Sequence, residues 1–121
     1  MAKVLIVDDD PNNRLLLATL LKHAGHQPVE AQDANAALSS IERHVPALII
    51  VDLSLPDMPG AALIKRISTD PRTAGARIAL YTATQSDAAA QELMDLYGLC
   101  ALIPKPGDPK AILQLLRELL D

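Results

Sequence analysis

Five short apolar runs, each followed by a segment of helical spacing, constrain this 121-residue chain more than any other feature. Lys3–Asp8 (KVLIVD), Gln27–Ala31, Ala47–Asp52 (ALIIVD), Arg77–Thr82 (RIALYT) and Cys100–Ile103 read as strands. The first and third are almost free of polar alternation, the signature of strands buried on both faces. Asp10 as N-cap and Pro11 at the first helical position open a helix. Its apolar residues Leu15, Leu16, Ala18, Leu20 and Leu21 carry it to about Ala24, and Gly25 ends it. Asn35–Arg43 and Ala61–Ser68 are helical, the latter followed by a loop with Pro71 and Gly75. Ser86 reads as an N-cap, with Asp87 in the first turn of a helix running to about Tyr97 before Gly98. Asp108 caps a last helix, Pro109 to Leu120, with apolar spacing at Ile112, Leu115, Leu116 and Leu119. Strict alternation of this kind predicts an α/β fold, a doubly wound parallel sheet with helices on both faces. No repeat or linker interrupts it, so residues 1–121 read as one domain.

Composition narrows the function classes. The chain has two Tyr and no Phe or Trp, so its core is built from Leu, Ile, Val and Ala. Net charge is −4 with no basic run and no aromatic–Arg interleaving, which argues against direct nucleic-acid binding. No apolar run is long enough for a bilayer and no signal peptide is visible, so no membrane association is expected and the cytosol is the expected address. One cysteine, Cys100, permits neither a disulfide nor a cysteine zinc site within one chain and reads as a small core residue. His23, His26 and His44 are scattered and receive no role, and nothing in the composition selects an oligomeric state.

In open α/β sheets, ligands bind at the carboxyl ends of the strands. There the first strand offers Asp8, Asp9 and Asp10, the third Asp52, the fourth Thr82, and Lys105 follows the fifth between Pro104 and Pro106. Side-by-side packing of strands one, three, four and five would make these groups converge. Asp52 is the telling member: in IVDLSLPDMPG a carboxylate ends a buried strand and a Pro- and Gly-punctuated loop follows at once. A charge there is costly to desolvate without a partner. Clustered carboxylates repel unless a cation joins them. Oxygen ligands suit a hard divalent ion, and few protein ligands with room for a phosphate oxygen suit Mg²⁺. An ammonium and a hydroxyl opposite supply donors for an anion. A carboxylate nucleophile in such a site can form an acyl phosphate while its surroundings neutralise charge on the transferring oxygens. Asp10 is accounted for as a helix cap, and Asp57 as a loop residue.

VLIVDDD, IVDLSLPDMPG, YTAT and the PKP of LIPKP together resemble the receiver domains of two-component response regulators, the single-domain chemotaxis type being the simplest relative. The resemblance covers essentially the whole chain. It implies a flavodoxin-like five-stranded sheet in the order 2-1-3-4-5. It implies Asp52 as phospho-acceptor and Mg²⁺ ligand, Asp9 as a direct Mg²⁺ ligand, Asp8 acting mainly through a metal-bound water, and the Ser54 carbonyl as a further ligand. Thr82 would donate to one phosphoryl oxygen and move toward it, and Lys105 would pair with another. The Lys105–Pro106 bond is often cis in this family. The implied partner is a histidine kinase or phosphotransfer protein, with an effector domain or downstream protein to follow. The first helix, through Asn12, Asn13 and Arg14 read as exposed, is the expected docking element. The implied role is that of a switch, not a dedicated turnover enzyme. Ser54 and Thr84 lack the carboxylate or carboxamide that best orients an attacking water, which predicts slow self-dephosphorylation.

Two positions depart from the family pattern. Leu102 stands where an aromatic usually precedes the lysine by three residues, and the helix of SDAAAQELMDLYG carries few of the charges that DNA-binding relatives use to dimerise. Both fit a phosphorelay protein, a single-domain regulator or the receiver module of a larger signalling enzyme such as a hybrid kinase. A phosphatase of the haloacid dehalogenase type is the alternative from another class, since Asp8 and Asp10 form an Asp-x-Asp pair. Asn12 and Asn13 stand where its hydroxyl residue belongs, and the chain is short for a capped enzyme. An inert interaction module would show no Mg²⁺-dependent phosphorylation. Flavin or dinucleotide binding is disfavoured because the first loop has no Gly-rich cradle.

Overall fold

A computed structural model describes residues 1–83, 88–105 and 107–121. The elements are β1 (Lys3–Val7), α1 (Pro11–His23), β2 (Gln27–Ala31), α2 (Ala34–Arg43), β3 (Leu48–Asp52), α3 (Gly60–Thr69), β4 (Arg77–Thr82), α4 (Ala88–Tyr97), β5 (Ala101–Pro104) and α5 (Pro109–Leu120). All strand pairs are parallel, in the order β2-β1-β3-β4-β5. The predicted fold class and strand order both hold.

The chain builds these elements for local reasons. Asp10 caps α1 by accepting the Asn12 N–H at 2.8 Å, and Gly25 closes the turn with φ +87°. Asp108 caps α5 on the Lys110 N–H at 3.2 Å. α2 starts one residue earlier than its sequence suggests because Asp33 is its cap, accepting from Ala36 N–H at 2.7 Å. Gly60 opens α3 where no side chain fits: a Cβ there would lie 2.3 Å from the Asp52 carbonyl oxygen. The Ser86 cap, Asp87, Thr84 and the Lys105–Pro106 bond lie outside the described residues.

Two apolar layers sandwich the sheet. Leu5, Val7, Ile49, Val51, Ile78 and Leu80 face α2, α3 and α4, which contribute Ile41, Leu63, Ile64 and Ile67 among others. Val4, Ile6, Leu48, Ile50, Ala79, Tyr81 and Ile103 face α1 and α5, met by Leu17, Leu21, Ile112 and Leu116. Each fully buried Leu or Ile contributes about 1.5–3 kcal/mol. Leu15 corrects the reading of α1: it is 64% exposed. At about 100° per residue it lies roughly opposite Leu17, which faces the sheet. His26, given no role in the sequence, is buried; its Nδ1 accepts the Ala2 N–H at 3.0 Å, leaving Nε2–H to meet Asp121 at 2.9 Å. Cys100 is half-buried, and burial pushes its thiol pKa up. Among the described residues no helix is long and apolar enough to cross a membrane.

Candidate functional site

β1 and β3 are neighbours at the centre of the sheet, paired through Val7 and Val51. Their carboxyl ends therefore place Asp8 and Asp52 side by side. Asp8 is fully buried and Asp52 is 6% exposed, while Asp9 is exposed. Asp8, Asp9 and Asp52 each offer an oxygen, and these lie within 4.8 Å of one another. Asp10 is not in this cluster and acts as the helix cap, accepting the Asn12 N–H at 2.8 Å.

Lys105 follows β5 and reaches back across the edge. Its Nζ lies 2.8 Å from Asp8 Oδ2 and 3.2 Å from Asp52 Oδ2, with the side chain 16% exposed. Its backbone N–H donates to the Thr82 carbonyl at 3.1 Å, which fixes the turn after β5 against the end of β4. Thr82 is buried at that strand end, one residue beyond Tyr81, the register partner of Asp52. The Tyr81 ring lies beneath the Lys105 ammonium, 4.7 Å from it, and adds a cation–π attraction.

The charges resolve unequally. Burial raises the Asp52 pKa and the Asp8 charge adds to it; the Ser54 N–H at 3.2 Å and Lys105 pull back without cancelling. Burial pulls the Lys105 ammonium down, but the hydrogen bond to Asp8 and the charges of Asp52 and Asp8 overcome it, so its pKa ends above the ordinary lysine value. Lys105 is thus a firm cation, and Asp52 a carboxylate made reluctant by its surroundings. The raised Asp52 pKa means that its charged form gains from a nearby cation.

Further groups hold Asp8. The Asp10 N–H donates to Asp8 Oδ1 at 2.9 Å and Asn13 Nδ2 to Asp8 Oδ2 at 3.2 Å. Arg14 donates from Nη1 to the Asp8 carbonyl at 2.6 Å and from Nε to Glu30 at 3.1 Å. The expectation of Asn13 and Arg14 as exposed is therefore corrected: Asn13 is half-buried on Asp8, and the Arg14 side chain, 15% exposed, is spent on the Asp8 carbonyl and Glu30. Asn12 is exposed as expected, and the exposed apolar group on this stretch of α1 is Leu15.

Ser54 is exposed, on a loop closed by a bridge to Pro59 and by Gly60 N–H to the Leu53 carbonyl at 2.9 Å. Three carboxylates are an all-oxygen donor set, which fits a hard divalent cation of the Mg²⁺ kind and not a soft metal. Leu102 is half-buried and packs with the α3–α4 layer.

Comparison with known proteins agrees with this geometry. Residues 4–117 match the model of the response regulator receiver domain. A 14.6 kDa protein of Leptolyngbya boryana is 32% identical over 115 residues, 95% of this chain and 87% of that one. The transcriptional regulatory protein PhoP of Escherichia coli is 42% identical over 64 residues, 53% of this chain and 29% of PhoP. Among solved structures, the chemotaxis response regulator CheY4 of Vibrio cholerae superposes with a TM-score of 0.89 at 27% identity, covering 99% of each chain.

Proposed function

Because the chain belongs to the response regulator receiver family, the phospho-accepting module of two-component signalling, we propose that Asp52 is its acceptor and that Asp8, Asp9, Asp52 and the Ser54 carbonyl hold Mg²⁺. The observation that carries this reading is the buried Asp52 carboxylate, with Lys105 Nζ at 3.2 Å and two further acids within 4.8 Å.

In the reaction, an Asp52 oxygen attacks the phosphorus of a phosphohistidine. The P–N bond breaks, its electron pair returns to the imidazole, and an acyl phosphate forms. Held by Asp8, Asp9, Asp52 and the Ser54 carbonyl, Mg²⁺ would supply positive charge to offset that of Asp52 and the phosphoryl group. Lys105 turns from Asp8 and Asp52 to one phosphoryl oxygen, and the Thr82 hydroxyl donates to another. Each charge-assisted hydrogen bond is worth about 1.5–3 kcal/mol, enough to shift a two-state equilibrium substantially. The donor is a histidine kinase or phosphotransfer protein that docks on α1, where Leu15 offers an apolar anchor 64% exposed and Asn12 a polar contact. The protein acts as a cytosolic switch and not as a turnover enzyme, and it loses its phosphoryl group slowly because Ser54 orients water poorly.

Acetyl phosphate with and without Mg²⁺, read by intact mass beside Asp52→Asn, tests the reading. A single phosphoryl adduct that needs both Mg²⁺ and Asp52 supports it. No adduct on folded protein would sink it in favour of an inert module.

A further inference from the structure

One carboxylate on the acceptor loop is engaged far from the phosphoryl chemistry. Asp57 is exposed, yet both of its oxygens are taken: Oδ1 accepts the Ala34 N–H and Oδ2 the Asn35 N–H, each at 2.9 Å. These are first-turn N–H groups of α2, which have no partner within the helix. The hydrogen bonds from Ala34 and Asn35 hold the Asp57 carboxyl below the usual carboxylate range, so it is an anion at neutral pH. α2 already has its own cap in Asp33, which takes the Ala36 N–H at 2.7 Å. One helix end therefore carries two acidic caps, one from its own flank and one from a loop 23 residues on.

The second cap has a mechanical consequence. The legs of the loop are closed by the Ser54–Pro59 bridge and the Gly60–Leu53 hydrogen bond. Leu53, Leu55 and Met58 pack partly on the core, but apolar contact has little direction. Asp57 supplies the directional tie at the crest, and α2 is a firm base because Ala34, Ala37 and Ile41 are buried.

We infer that Asp57 is a positioning residue: it locks the acceptor loop onto α2 so that Asp52 and the Ser54 carbonyl are held ready for a divalent cation, and it makes the first turn of α2 sense cation occupancy. This rests on the proposed cation site at Asp8, Asp9, Asp52 and Ser54. The coupling is reciprocal: the factor by which the closed cap raises cation affinity is the factor by which bound cation favours the closed cap.

Calorimetric titration of Mg²⁺ into the wild type, Asp57→Ala, Asp57→Asn and Asp33→Ala, each checked for folding by circular dichroism, tests the inference. Asp57→Ala weakens Mg²⁺ binding roughly tenfold, the low end of effects from removing a residue that orients a metal ligand. Asp57→Asn, which keeps an acceptor oxygen, falls between. Asp33→Ala lowers the melting temperature but leaves Mg²⁺ affinity at the wild-type value. In the wild type, Mg²⁺ slows amide exchange at Ala34 and Asn35 by the same factor and leaves Ala36 unchanged. Equal affinity in Asp57→Ala and the wild type, or equal losses in Asp57→Ala and Asp33→Ala, overturns the positioning role. Wild type that binds Mg²⁺ with unaltered exchange at Ala34 and Asn35 overturns it too, even if Asp57→Ala does not fold. Wild type that binds no Mg²⁺ removes the cation site itself, and the inference with it.

Discussion

The two halves of the sheet's carboxyl edge are built differently. On the β1–β3 side nearly every polar group is fastened. Asp8 is held by the Asp10 N–H, Asn13 and Lys105, its carbonyl by Arg14, and the acceptor loop by Ser54–Pro59 and by Asp57 on α2. The helix behind it, α3, sends Gly60, Leu63, Ile64 and Ile67 into the core. On the β4–β5 side, α4 buries only Ala90 among its described residues and leaves Leu96 71% exposed. Few buried apolar contacts mean a low free energy of local rearrangement. A region that binds a cation and a phosphoryl group gains from being preorganised, whereas a region that reports occupancy has to move at little cost. Under the proposed function, one sheet edge would supply both by changing how much each neighbouring helix buries.

The strongest attack on the comparison is Asp52→Asn. It abolishes the phosphoryl adduct, and it raises the melting temperature of the metal-free protein by a few degrees, because a buried carboxylate beside Asp8 becomes neutral. Mass spectrometry and a thermal melt read the two effects; an adduct surviving in this variant would mean that the acceptor lies elsewhere. Next comes Lys105→Met, which removes the cation that bridges the two halves. Phosphorylation by acetyl phosphate slows by about 10²–10³-fold, the usual loss on deleting one preorganised donor to a developing anion. A rate near that of the wild type would show that Lys105 serves only to pair Asp8 and Asp52. A paired truncation then measures the asymmetry itself. Ile64→Ala on α3 costs about 3 kcal/mol and Leu93→Ala on α4 about 1 kcal/mol in denaturant unfolding, since Ile64 is fully buried and Leu93 half-buried. Equal costs would erase the contrast between the two helices.

The fold was legible because strands buried on both faces admit almost no polar residue, so KVLIV and LIIVD could hardly be anything else. Caps at Asp10 and Asp108 were legible because Pro11 and Pro109 follow them. The Asp33 cap was obscured by Asn35, which signals a helix start equally well two residues on. At the site, the strand-end acids, Thr82 and Lys105 followed from one topological rule. What supports them did not, because the partners are distant in sequence: Arg14 reaches Glu30 across 16 residues and Asp57 reaches Ala34 across 23. Tyr81 under Lys105 was equally invisible, since only the packing of β4 beside β5 brings the ring to the ammonium. Leu15 misled because an apolar residue within a helical run resembles a core position, although two residues from Leu17 it lies about 200° around the helix from it.

The smallest expected effect concerns the Asp57 carboxylate of the acceptor loop. Asp57 has a depressed pKa in the folded protein, so its caps contribute stability at pH values above the unfolded carboxylate pKa of about 4. That contribution is lost as pH falls from there through the lowered folded value. Asp57→Ala lacks it at every pH. The gap in melting temperature between wild type and Asp57→Ala is therefore constant from neutral pH down to about 4 and closes below it. Asp70, paired with Arg72 on the α3–β4 loop, is depressed as well, but it remains in both proteins and cancels in the difference. Thermal melts across this range read the gap directly. A gap that persists in full at the lowest pH would mean that Asp57 holds α2 by shape and not by charge.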